Sequence, residues 1–483
     1  MKREAVIQEM TGEQLDVLII GGGIVGSGIA RDAAMRGLRV GLAEQFDFAF
    51  GTSSRSSRLL HGGLRYLAQG KVGLVREASV EKMTISRIAP HLAQGLGFVF
   101  PCYKGTDWPL WQMRIGVKIY DLLCGAGNFE KSRGLNATET AKLLPGVNET
   151  KLNGSVRYFD GLTNDARLVL DTLSSAEANG AKVVNYFQFK KAERKGDLWE
   201  CHMVDLLTDE ARIVKAKTVA NATGPWSDRV EHSAIKLRLT KGIHLVIDRK
   251  KLPMPDAVVM TQGSRILFVI PWGERIVLGT TDTDYNGSRE AVHAESDEIA
   301  YVLGVTNELF PKAGLTKGDV ISTWAGLRPL IAKKDGSPSD ISRAHDIINP
   351  EPFWWDIAGG KLTTYRLIAE QTVDKILREM GRTAKPCRTA QEPLLPANHA
   401  ADLSGITPPP FTQSAVEHYC REEWARHLDD VMVRRTSWHY YFADAGAKAE
   451  QVAQWMAEIL SWTNAEKTAE IERYRTNTCS PKP

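Results

Sequence analysis

One short segment near the start of the chain carries an unusual density of hydrogen-bond donors. Residues 51–67 read GTSSRSSRLLHGGLRYL, with three arginines, four serines, one histidine and two adjacent glycines. The segment lacks the alternation of a strand, and its paired glycines disfavour a helix. Hydroxyl groups and bare backbone can wrap a bound ligand, and guanidinium groups bind anions such as phosphate. We therefore expect a ligand site here.

The residues before this segment predict the element that positions it. An apolar run over 15–20 is typical of a strand buried on both faces. Gly21, Gly23 and Gly26 follow as G-x-G-x-x-G, then a stretch of helical composition, then a second strand that ends in Glu44. A lone glycine motif is weak, because a glycine-rich turn in another α/β domain can produce it. Strand, turn, helix, strand and acid in this order favour a dinucleotide site.

Each residue of this motif has a defined task at a dinucleotide site. Gly21 permits the tight bend, Gly23 lets the backbone approach a pyrophosphate, and Gly26 lets helix and strand pack closely. Glu44 can accept hydrogen bonds from a ribose and would repel a 2′-phosphate, which disfavours NADP. The motif does not distinguish NAD from FAD. The donor-rich segment directly after it suits a cofactor that does not exchange, which favours FAD.

The bulk composition excludes several classes of protein. With 483 residues, 43% hydrophobic and 25% charged, the chain predicts two or more folded domains. The net charge of +3 gives no reason to expect nucleic-acid binding. Six cysteines without a Cys-x-x-Cys pair indicate a reduced, cytoplasmic protein with no disulfide framework and no metal site. We see no signal peptide and no apolar run near the ~18 residues that a membrane span needs.

Two later turns end apolar strands in the same way. The stretch KAKTVANATGPWSD predicts a strand followed by a Gly-Pro turn, which includes Ala222 and Gly224. The stretch WDIAGGKLTTYRL predicts a strand, a turn with Gly360, Lys361 and Leu362, and a helix. The carboxyl ends of such strands are where α/β sheets bind ligands, and the helix N-terminus offers a second dipole. We expect these five residues to contact the cofactor.

The order of elements predicts an α/β fold with discontinuous domains. We expect a Rossmann-like FAD-binding domain interleaved with a β-sheet-rich substrate-binding domain, the first made of residues 15–90, 150–230 and 325–385 and the second of residues 91–149 and 231–324. Period-two patterns and hairpin signals such as the KGD of residues 195–197 support the strand-rich middle. A Pro-rich linker then leads to a small C-terminal α-helical cap, residues 400–483.

Several motifs, in this order and spacing, resemble the FAD-dependent glycerol-3-phosphate dehydrogenase family, which has the amino-acid-oxidase-like flavoprotein superfold. They are IGGGIVGSGIARDAAMRG (20–37), TSSRSSRLLHGGLRYL (52–67), DARLVL (165–170), NATGPW (221–226), IPWGERIVLGTTD (270–282), GLRPL (326–330) and GGKLTTYR (359–366). HGGLRYL together with GGKLTTYR is the most specific part. The likeness covers residues 15–380 well, and the C-terminal domain is shorter than we expect of the family.

The resemblance implies a reaction and a substrate site. The reaction is oxidation of sn-glycerol 3-phosphate to dihydroxyacetone phosphate by hydride transfer to FAD, with electrons passed on to a membrane quinone. Arg65, Tyr66, His244 and Arg328 match family positions that line the substrate pocket, and two arginines suit a phosphate dianion. Lys361 could reach the flavin or the substrate.

The same resemblance suggests catalytic and cofactor roles. Among the catalytic candidates His244, Arg328 and Lys361, the histidine is the obvious titrating base, and a cation beside the reduced flavin stabilises its anion. This assignment stays open, and a purely structural role for His244 is the alternative. The expected flavin cradle from the opening segment consists of Ser53, Ser54, Ser57, Gly62 and Gly63. Arg55 and Arg58 receive no role, and for Arg434 and Arg435 a helix–helix salt bridge is favoured over the pocket mouth.

One amphipathic stretch indicates contact with a membrane. WPLWQMRIGVKIYDLL, residues 108–123, puts Arg114, Lys118 and Asp121 on one helical face, and basic Lys71, Arg76, Lys82 and Arg87 are nearby. We expect this helix to lie in a membrane interface, with a core helix that has one wet face as the alternative. Relatives implied by the resemblance are peripheral enzymes, so we expect a cytoplasmic location on the inner face of the membrane, and a homodimer.

Two other functions remain open at this point. An amino-acid or amine oxidase of the same superfold would share the cofactor motifs, and a flavin-binding protein without turnover would share them as well. A carboxylate substrate needs only one arginine, so a pair such as Arg65 and Arg328 favours the phosphorylated substrate.

Overall fold

Eighteen strands of the described part of the chain form two sheets. The computed structural model describes residues 2–125, 127–263, 265–332, 345–383, 385–395 and 401–478, without the side chains of Lys2, Arg65, Ala68 and Ala401. The strands are β1 (Leu15–Ile20), β2 (Val40–Ala43), β3 (Leu59–Leu60), β4 (Gln94–Tyr103), β5 (Arg133–Asn136), β6 (Leu152–Leu162), β7 (Lys182–Val184), β8 (Phe187–Lys195), β9 (Leu198–Asp205), β10 (Glu210–Asn221), β11 (Leu237–Asp248), β12 (Ala257–Gln262), β13 (Arg265–Trp272), β14 (Arg275–Gly279), β15 (Thr283–Asp284), β16 (Val320–Ile331), β17 (His345–Glu351) and β18 (Trp354–Gly359).

Helices pack against both sheets and build the C-terminal region. They are α1 (Lys2–Gly12), α2 (Ile24–Met35), α3 (Arg65–Ala68), α4 (Val72–Ile88), α5 (Leu110–Leu123), α6 (Ala137–Leu143), α7 (Asp165–Ala178), α8 (Ser296–Leu309), α9 (Tyr365–Glu379), α10 (Gln413–Glu422), α11 (Trp438–Tyr441), α12 (Ala445–Leu460) and α13 (Asn464–Thr478). The predicted α/β architecture with a helical C-terminal region is confirmed.

The first sheet has β1 at its centre, in the order β17-β18-β10-β1-β2-β7, with β9 joining β10 and β8 joining β9. β1 pairs in parallel with β2 on one side and β10 on the other. Its residues alternate between two cores. Val17 and Ile19 pack on the side of α2, α7 and α9, whereas Leu18 and Ile20 pack with Trp199. This double burial explains why the strand reads as an unbroken apolar run.

The second sheet curls beside the first and follows the order β15-β11-β14-β13-β12-β4-β6-β3, with β16 paired to β11 and β5 to β6. Most pairs are antiparallel, and β12 with β4 is a parallel pair. Strands β3, β6 and β16 of this sheet include residues from the three segments predicted for the FAD-binding domain. The division of the chain into three regions stays a prediction.

A cluster of buried charges joins the C-terminal region to the first sheet. Asp47, in the turn after β2, accepts hydrogen bonds from Arg434 at 2.5 Å and from Arg435 at 2.5 and 2.9 Å. Arg434 also binds Asp429 and Asp430 of its own turn. The prediction of a helix–helix salt bridge is therefore wrong for Arg435, since its carboxylate partner lies in a turn of the first sheet.

The two guanidinium groups determine the ionisation of Asp47. Burial acts to raise the pKa of this carboxyl, but the charges of Arg435 and Arg434 outweigh that effect, so its pKa lies below the ordinary value. A carboxylate with a lowered pKa stabilises the fold at neutral pH, and this contribution is lost as the pH falls through the folded-state pKa. The C-terminal region thus contributes to the stability of the nucleotide-binding sheet.

The helices also bear on membrane topology. Among the described residues, none of the helices combines the length and the apolar composition that crossing a bilayer requires.

We predict that Asp47→Ala lowers the free energy of unfolding by about 3–5 kcal/mol, because it leaves two buried guanidinium groups without their shared counter-charge. Thermal or urea unfolding of the purified protein measures the change. Asp284→Ala is the matched control, since it breaks an ion pair with Arg238 at 2.6 Å whose side chains are 49% and 35% exposed. The control should leave the unfolding midpoint nearly unchanged. Equal effects of the two substitutions would contradict the prediction.

Candidate active site

A large cavity lies where the two sheets meet. Its volume is about 960 Å³, within the size range of sites that enclose a cofactor or drug-sized ligand. Its wall contains the ends of β1, β2, β10 and β18 from the first sheet and parts of β11 and β16 from the second. Most of the residues predicted as site residues border it, namely Gly21, Gly23, Glu44, Ser53, Ser57, Gly63, Ala222, Gly224, His244, Arg328, Gly360, Lys361 and Leu362.

The glycine motif makes the turn between β1 and α2 as tight as a nucleotide site requires. Gly21 has φ +109°, and a Cβ there would lie 2.6 Å from the carbonyl oxygen of Ala222. A Cβ on Gly26 would lie 2.0 Å from the carbonyl oxygen of Gly21. Gly23 caps α2, and Ser53 accepts a hydrogen bond from the Ile24 amide at 3.0 Å. Backbone and helix N-terminus can thus approach an anionic group in the cavity.

Glu44 stands at the end of β2 beside this turn. Its carboxylate accepts hydrogen bonds from the amides of Gly22 at 2.7 Å and Phe46 at 2.8 Å. Burial raises the pKa of Glu44 to about 7, against the effect of these backbone hydrogen bonds and with a further contribution from Asp47. Its free lone pairs can accept hydrogen bonds from a ribose, and such donors favour the ionised form.

The segment from His61 to Gly63 runs along the cavity between two anchors. The His61 amide donates to Thr363 Oγ1 at 3.0 Å. On the other side, the Gly62 amide donates to Tyr120 Oη at 2.7 Å. Gly63 has φ +82°, and a Cβ there would lie 2.5 Å from Tyr66 Cδ2. The adjacent glycines therefore let the backbone pass between side chains that leave no room for a Cβ.

The substrate-side candidates come together through the register of β11 and β16. Thr240 faces Arg328, Gly242 faces Gly326, and His244 faces Trp324. Directly paired residues of an antiparallel sheet point to the same face, so all six belong to one face. The two facing glycines leave a hollow. A Cβ on Gly242 would lie 2.4 Å from the Arg328 guanidinium, and one on Gly326 would lie 2.6 Å from the carbonyl oxygen of Arg55.

Arg328 presents its guanidinium in this hollow. It donates to Thr280 Oγ1 at 3.0 Å, to the Thr281 carbonyl at 3.1 Å and to Asp282 Oδ1 at 3.2 Å. Its side chain is partly exposed to the cavity, at 20%. A planar guanidinium held at its edges by three oxygens keeps a defined orientation toward an incoming anion.

His244 is buried next to this guanidinium. Its Nε2 lies 2.8 Å from Ser57 Oγ, its ring stacks on Trp324, and its Nδ1 has no hydrogen-bond partner within the described part of the chain. Burial, and then the charges of Arg328 and Arg58, lower the pKa of His244 well below 6.5. The imidazole is therefore neutral at physiological pH and can accept a proton or hydrogen bond from a ligand hydroxyl.

Some predicted residues lie away from the cavity wall. Ser54 and Gly26 are buried behind it, Gly62 contacts Tyr120 and Ser79, and the Tyr66 ring lies 4.4 Å below Lys361 Nζ. Arg65 begins α3 directly after the glycines, but its side chain is outside the described residues. Their predicted roles stay predictions.

Other residues near the site were not expected from the sequence. Arg58 is buried between the rings of Trp272 and Trp324, at 4.3 and 5.2 Å, and donates to Ser437 in the C-terminal region. Arg55 borders the cavity. Asp160 does so too, and no nearby motif marks it. Such residues come from strands and turns whose neighbours are known only once the sheet is formed.

Comparison with known proteins shows which family the chain belongs to. Residues 16–372 match the family described as FAD dependent oxidoreductase, and residues 362–467 match the C-terminal domain of alpha-glycerophosphate oxidase. The chain is 38% identical over 404 residues to the aerobic glycerol-3-phosphate dehydrogenase of Staphylococcus aureus (strain MRSA252), covering 80% of this chain and 72% of the relative. It belongs to the FAD-dependent glycerol-3-phosphate dehydrogenase family.

Solved structures support the assignment to this dehydrogenase family. The glycerol-3-phosphate dehydrogenase of Bacillus halodurans, complexed with FAD, superposes with a TM-score of 0.81 at 30% identity, covering 99% of this chain and 97% of that chain. The glycine oxidase of Geobacillus kaustophilus gives 0.60 at 17% identity, covering 76% of this chain and 95% of that chain. The second likeness shows a shared fold only.

The residues present fit FAD, the cofactor of this dehydrogenase family. The cavity is large enough, the Gly21–Gly26 turn exposes a helix N-terminus to it, and Glu44 offers a ribose acceptor. Gly360, Lys361 and Leu362 border the same cavity from the end of β18. These groups would hold the dinucleotide, and Lys361 would bring a cation to its reactive end.

We predict that Gly26→Ala weakens FAD binding by about 10- to 100-fold or more, because the new Cβ would force the Gly21 carbonyl out of the turn. Titration of the apoprotein with FAD, followed by flavin fluorescence, measures the affinity. Gly304→Ala in α8 is the control, since nothing lies within 4 Å of its added Cβ. An unchanged FAD affinity in Gly26→Ala would show that the turn does not contact the cofactor as described.

We predict that FAD affinity falls as the pH drops below about 7. Burial gives Glu44 a pKa of about 7, and ribose hydroxyls would favour its ionised form, so binding below this pH must release a proton. The dissociation constant should rise by up to about tenfold per pH unit. Glu44→Gln, which cannot titrate, should give a flat profile and weaker binding. A flat profile in the unsubstituted protein would contradict this prediction.

Proposed function

We propose that the chain oxidises sn-glycerol 3-phosphate to dihydroxyacetone phosphate and passes the electrons to a membrane quinone. The observation that carries the proposal is the hollow between Gly242 and Gly326, in which a guanidinium and a neutral imidazole border the same cavity as the dinucleotide turn. A phosphorylated secondary alcohol needs cationic groups for its phosphate and a proton acceptor for its hydroxyl. The names of the relatives agree with this substrate.

Arg328 binds the substrate phosphate in this proposal. Its present partners are a hydroxyl, a carbonyl and the Asp282 carboxylate, and a phosphate dianion forms stronger charge-assisted hydrogen bonds than these. Arg65, at the start of α3, supplies the second cation, and Tyr66 next to it supports the pocket by packing under Lys361. Two arginines distinguish a dianionic phosphate from a carboxylate, which needs one.

His244 accepts the proton of the C2 hydroxyl. The Ser57 hydroxyl borders the cavity and lies 2.8 Å from the imidazole Nε2, so it can pass that proton to the ring. The pKa of His244 is low while the site is empty because burial and two arginines oppose its charge. The dianion bound to Arg328 offsets one of these positive charges, which raises the basicity of His244 when substrate is present.

The cofactor supplies the hydride acceptor when it is bound. Bound FAD would take the C2 hydrogen as a hydride while His244 takes the hydroxyl proton, so the substrate would lose two electrons and two protons and become a ketone. Lys361, whose Nζ lies beside the Gly63 backbone, supplies a positive charge that offsets the negative charge arriving at the cofactor. The burial of this site excludes water from the transfer.

Helix α5 supports the membrane part of the proposal. Trp111, Ile115, Ile119 and Leu122 form one stripe with 63%, 53%, 44% and 79% of their surface exposed. Among the polar residues of the predicted wet face, Lys118 donates to the Ser132 carbonyl and Asp121 accepts from the Ser132 amide and hydroxyl, while Arg114 and Lys118 are exposed. An apolar stripe left in solvent while polar residues bind protein indicates a surface that lipid covers.

The apolar stripe also leads into the cavity. Trp111, Ile115 and Ile119 border it together with Leu64 and Leu67. A quinone dissolved in the bilayer could therefore reach the cofactor without crossing water, on the inner face of the cytoplasmic membrane. Of the predicted basic residues, Lys82 is buried and bound to Asp160, so it cannot contact headgroups, whereas Arg76 and Arg87 are exposed. The homodimer stays a prediction.

The proposed reaction is tested by anaerobic reduction of the FAD-loaded protein. Glycerol 3-phosphate should bleach the flavin band near ~450 nm, and a water-soluble quinone should restore it. Glycerol and glycine should leave the band unchanged. Bleaching by glycine instead would favour the amino-acid oxidase alternative, and no bleaching by any of the three would favour a flavoprotein without turnover.

We predict that Arg328→Ala raises the KM for glycerol 3-phosphate at least about 100-fold, because two charge-assisted hydrogen bonds are lost. The KM of Arg328→Lys should lie between those of Arg328→Ala and the unsubstituted protein, since an ammonium group cannot bind the phosphate with two parallel hydrogen bonds. FAD content should stay normal in both. Arg238→Ala, which also removes an arginine that binds one aspartate, is the control and should leave KM unchanged. A normal KM in Arg328→Ala would contradict the proposal that Arg328 binds the substrate phosphate.

We predict that Ile115→Asp combined with Leu122→Asp weakens binding to phospholipid vesicles by at least about 100-fold, because burying each apolar side chain contributes ~1.5–3 kcal/mol. Vesicle sedimentation measures the bound fraction. Leu207→Asp combined with Ile213→Asp, at residues that are 38% and 43% exposed near the β9–β10 turn, is the matched control. If the two double variants bind vesicles equally, the stripe is not the membrane surface.

A further inference from the structure

The inner face of α5 carries a buried tyrosine whose hydroxyl joins the cofactor segment to an ion pair. Tyr120 Oη accepts a hydrogen bond from the Gly62 amide at 2.7 Å and donates one to Asp160 Oδ1 at 2.6 Å. Lys82 donates to the same carboxylate oxygen at 2.9 Å. All three side chains are at most 3% exposed. None of them belongs to the sequence motifs that predict the site.

The protonation state of each group determines the direction of each hydrogen bond in this network. Burial, with the neighbouring Asp160 charge, raises the pKa of Tyr120 well above 10, so the phenol keeps its proton. That proton can only be donated to the carboxylate, which leaves the phenol lone pairs for the Gly62 amide. Lys82 neutralises Asp160 and is held in turn by Asn128 and the Phe159 carbonyl. Because each of these polar groups has a hydrogen-bond partner, this network of hydrogen bonds is rigid.

The lack of a side chain at Gly62 leaves room for the Tyr120 hydroxyl. A Cβ there would lie 2.6 Å from Tyr120 Oη and 2.4 Å from Ser79 Oγ, so a larger residue would push the backbone off the tyrosine. Its neighbour His61 is tied to Thr363, and Gly63 borders the cavity beside Lys361. The backbone then leads directly into α3, which begins at Arg65. A shift at Gly62 would therefore move both the cofactor wall and the start of α3.

We propose that Tyr120 is a positioning residue for the active site: its hydroxyl, held by Asp160 and Lys82, fixes the Gly62 amide and so the backbone from His61 to Arg65. Tyr120 acts through this backbone and does not contact FAD or substrate itself. The part that concerns Arg65 and the substrate phosphate rests on the proposed function. The part that concerns the wall of the FAD cavity does not depend on it.

The test compares Tyr120→Phe with Tyr103→Phe in the FAD-loaded protein. Tyr103 also donates a hydrogen bond, to the Asn148 carbonyl at 2.8 Å, but it lies at the far end of β4. Tyr120→Phe should shift the flavin absorption band near ~450 nm and raise the KM for glycerol 3-phosphate about fivefold or more, with a smaller change in kcat. Tyr103→Phe should change neither. If both variants behave alike, Tyr120 has only a structural role and the proposal fails.

Hydrogen exchange of the unsubstituted holoprotein tests the same contact without relying on a variant that must fold. A peptide covering residues 59–67 should retain the Gly62 proton far longer than a peptide covering the exposed turn at 104–107. Exchange of the two peptides at similar rates would overturn the proposal. In Tyr120→Phe the 59–67 peptide should exchange about fivefold faster or more. If glycerol 3-phosphate fails to reduce the unsubstituted protein, the proposed function fails, while the spectral and exchange results still decide the role of Tyr120.

Discussion

The active site depends on one packing constraint, the pair of glycines that face each other across β11 and β16. Gly242 and Gly326 leave a hollow in a sheet face that would otherwise be filled by side chains. The Arg328 guanidinium occupies the space of one missing Cβ, and the backbone of Arg55 occupies the other. Without this hollow, the sheet could not bring a cation, a neutral imidazole and the donor-rich segment to the same cavity.

The rest of the molecule holds charged groups in place around that hollow. Buried guanidinium groups are costly unless they are paired, and this protein pairs them in different ways. Arg434 and Arg435 share the Asp47 carboxylate, Arg58 lies between two tryptophan rings, and Arg328 is held by Thr280, Thr281 and Asp282. Of these four arginines, Arg328 borders the cavity. The net charge of the whole chain gives no sign of this local field.

Helix α5 connects two sides of the proposed function. Its outer stripe is apolar and exposed, and its inner face carries Tyr120 beside the cofactor segment. The stripe proposed to meet lipid and the contact proposed to shape the cofactor cavity are therefore less than one helix diameter apart. Such an arrangement suits the proposed transfer of electrons from a water-soluble substrate to a membrane quinone.

Local patterns predicted the fold well where neighbours along the chain decide the structure. The sequence predicts the turn after β1, the acid that follows β2 and the Gly-Gly turn after β18. Each of these features depends on residues that are adjacent in the sequence. The cluster of Asp47 with Arg435 joins residues 388 apart, and the approach of His244 to Arg328 depends on strand register. The partner that Lys118 and Asp121 share, Ser132, follows α5 in a segment that the helical pattern does not include. No periodicity contains that information.

The most direct measurement of the central claim is the kinetics of Gly242→Ala in the FAD-loaded enzyme. The heavy atoms nearest to the added Cβ would be the movable ends of Arg328 and Thr280, at 2.4 and 2.5 Å, so the fold and the dinucleotide turn should survive. We expect normal FAD content and a KM for glycerol 3-phosphate raised about tenfold or more, since the displaced guanidinium loses its alignment with the phosphate. An unchanged KM, or a loss of FAD that accompanies the rise, would contradict the account.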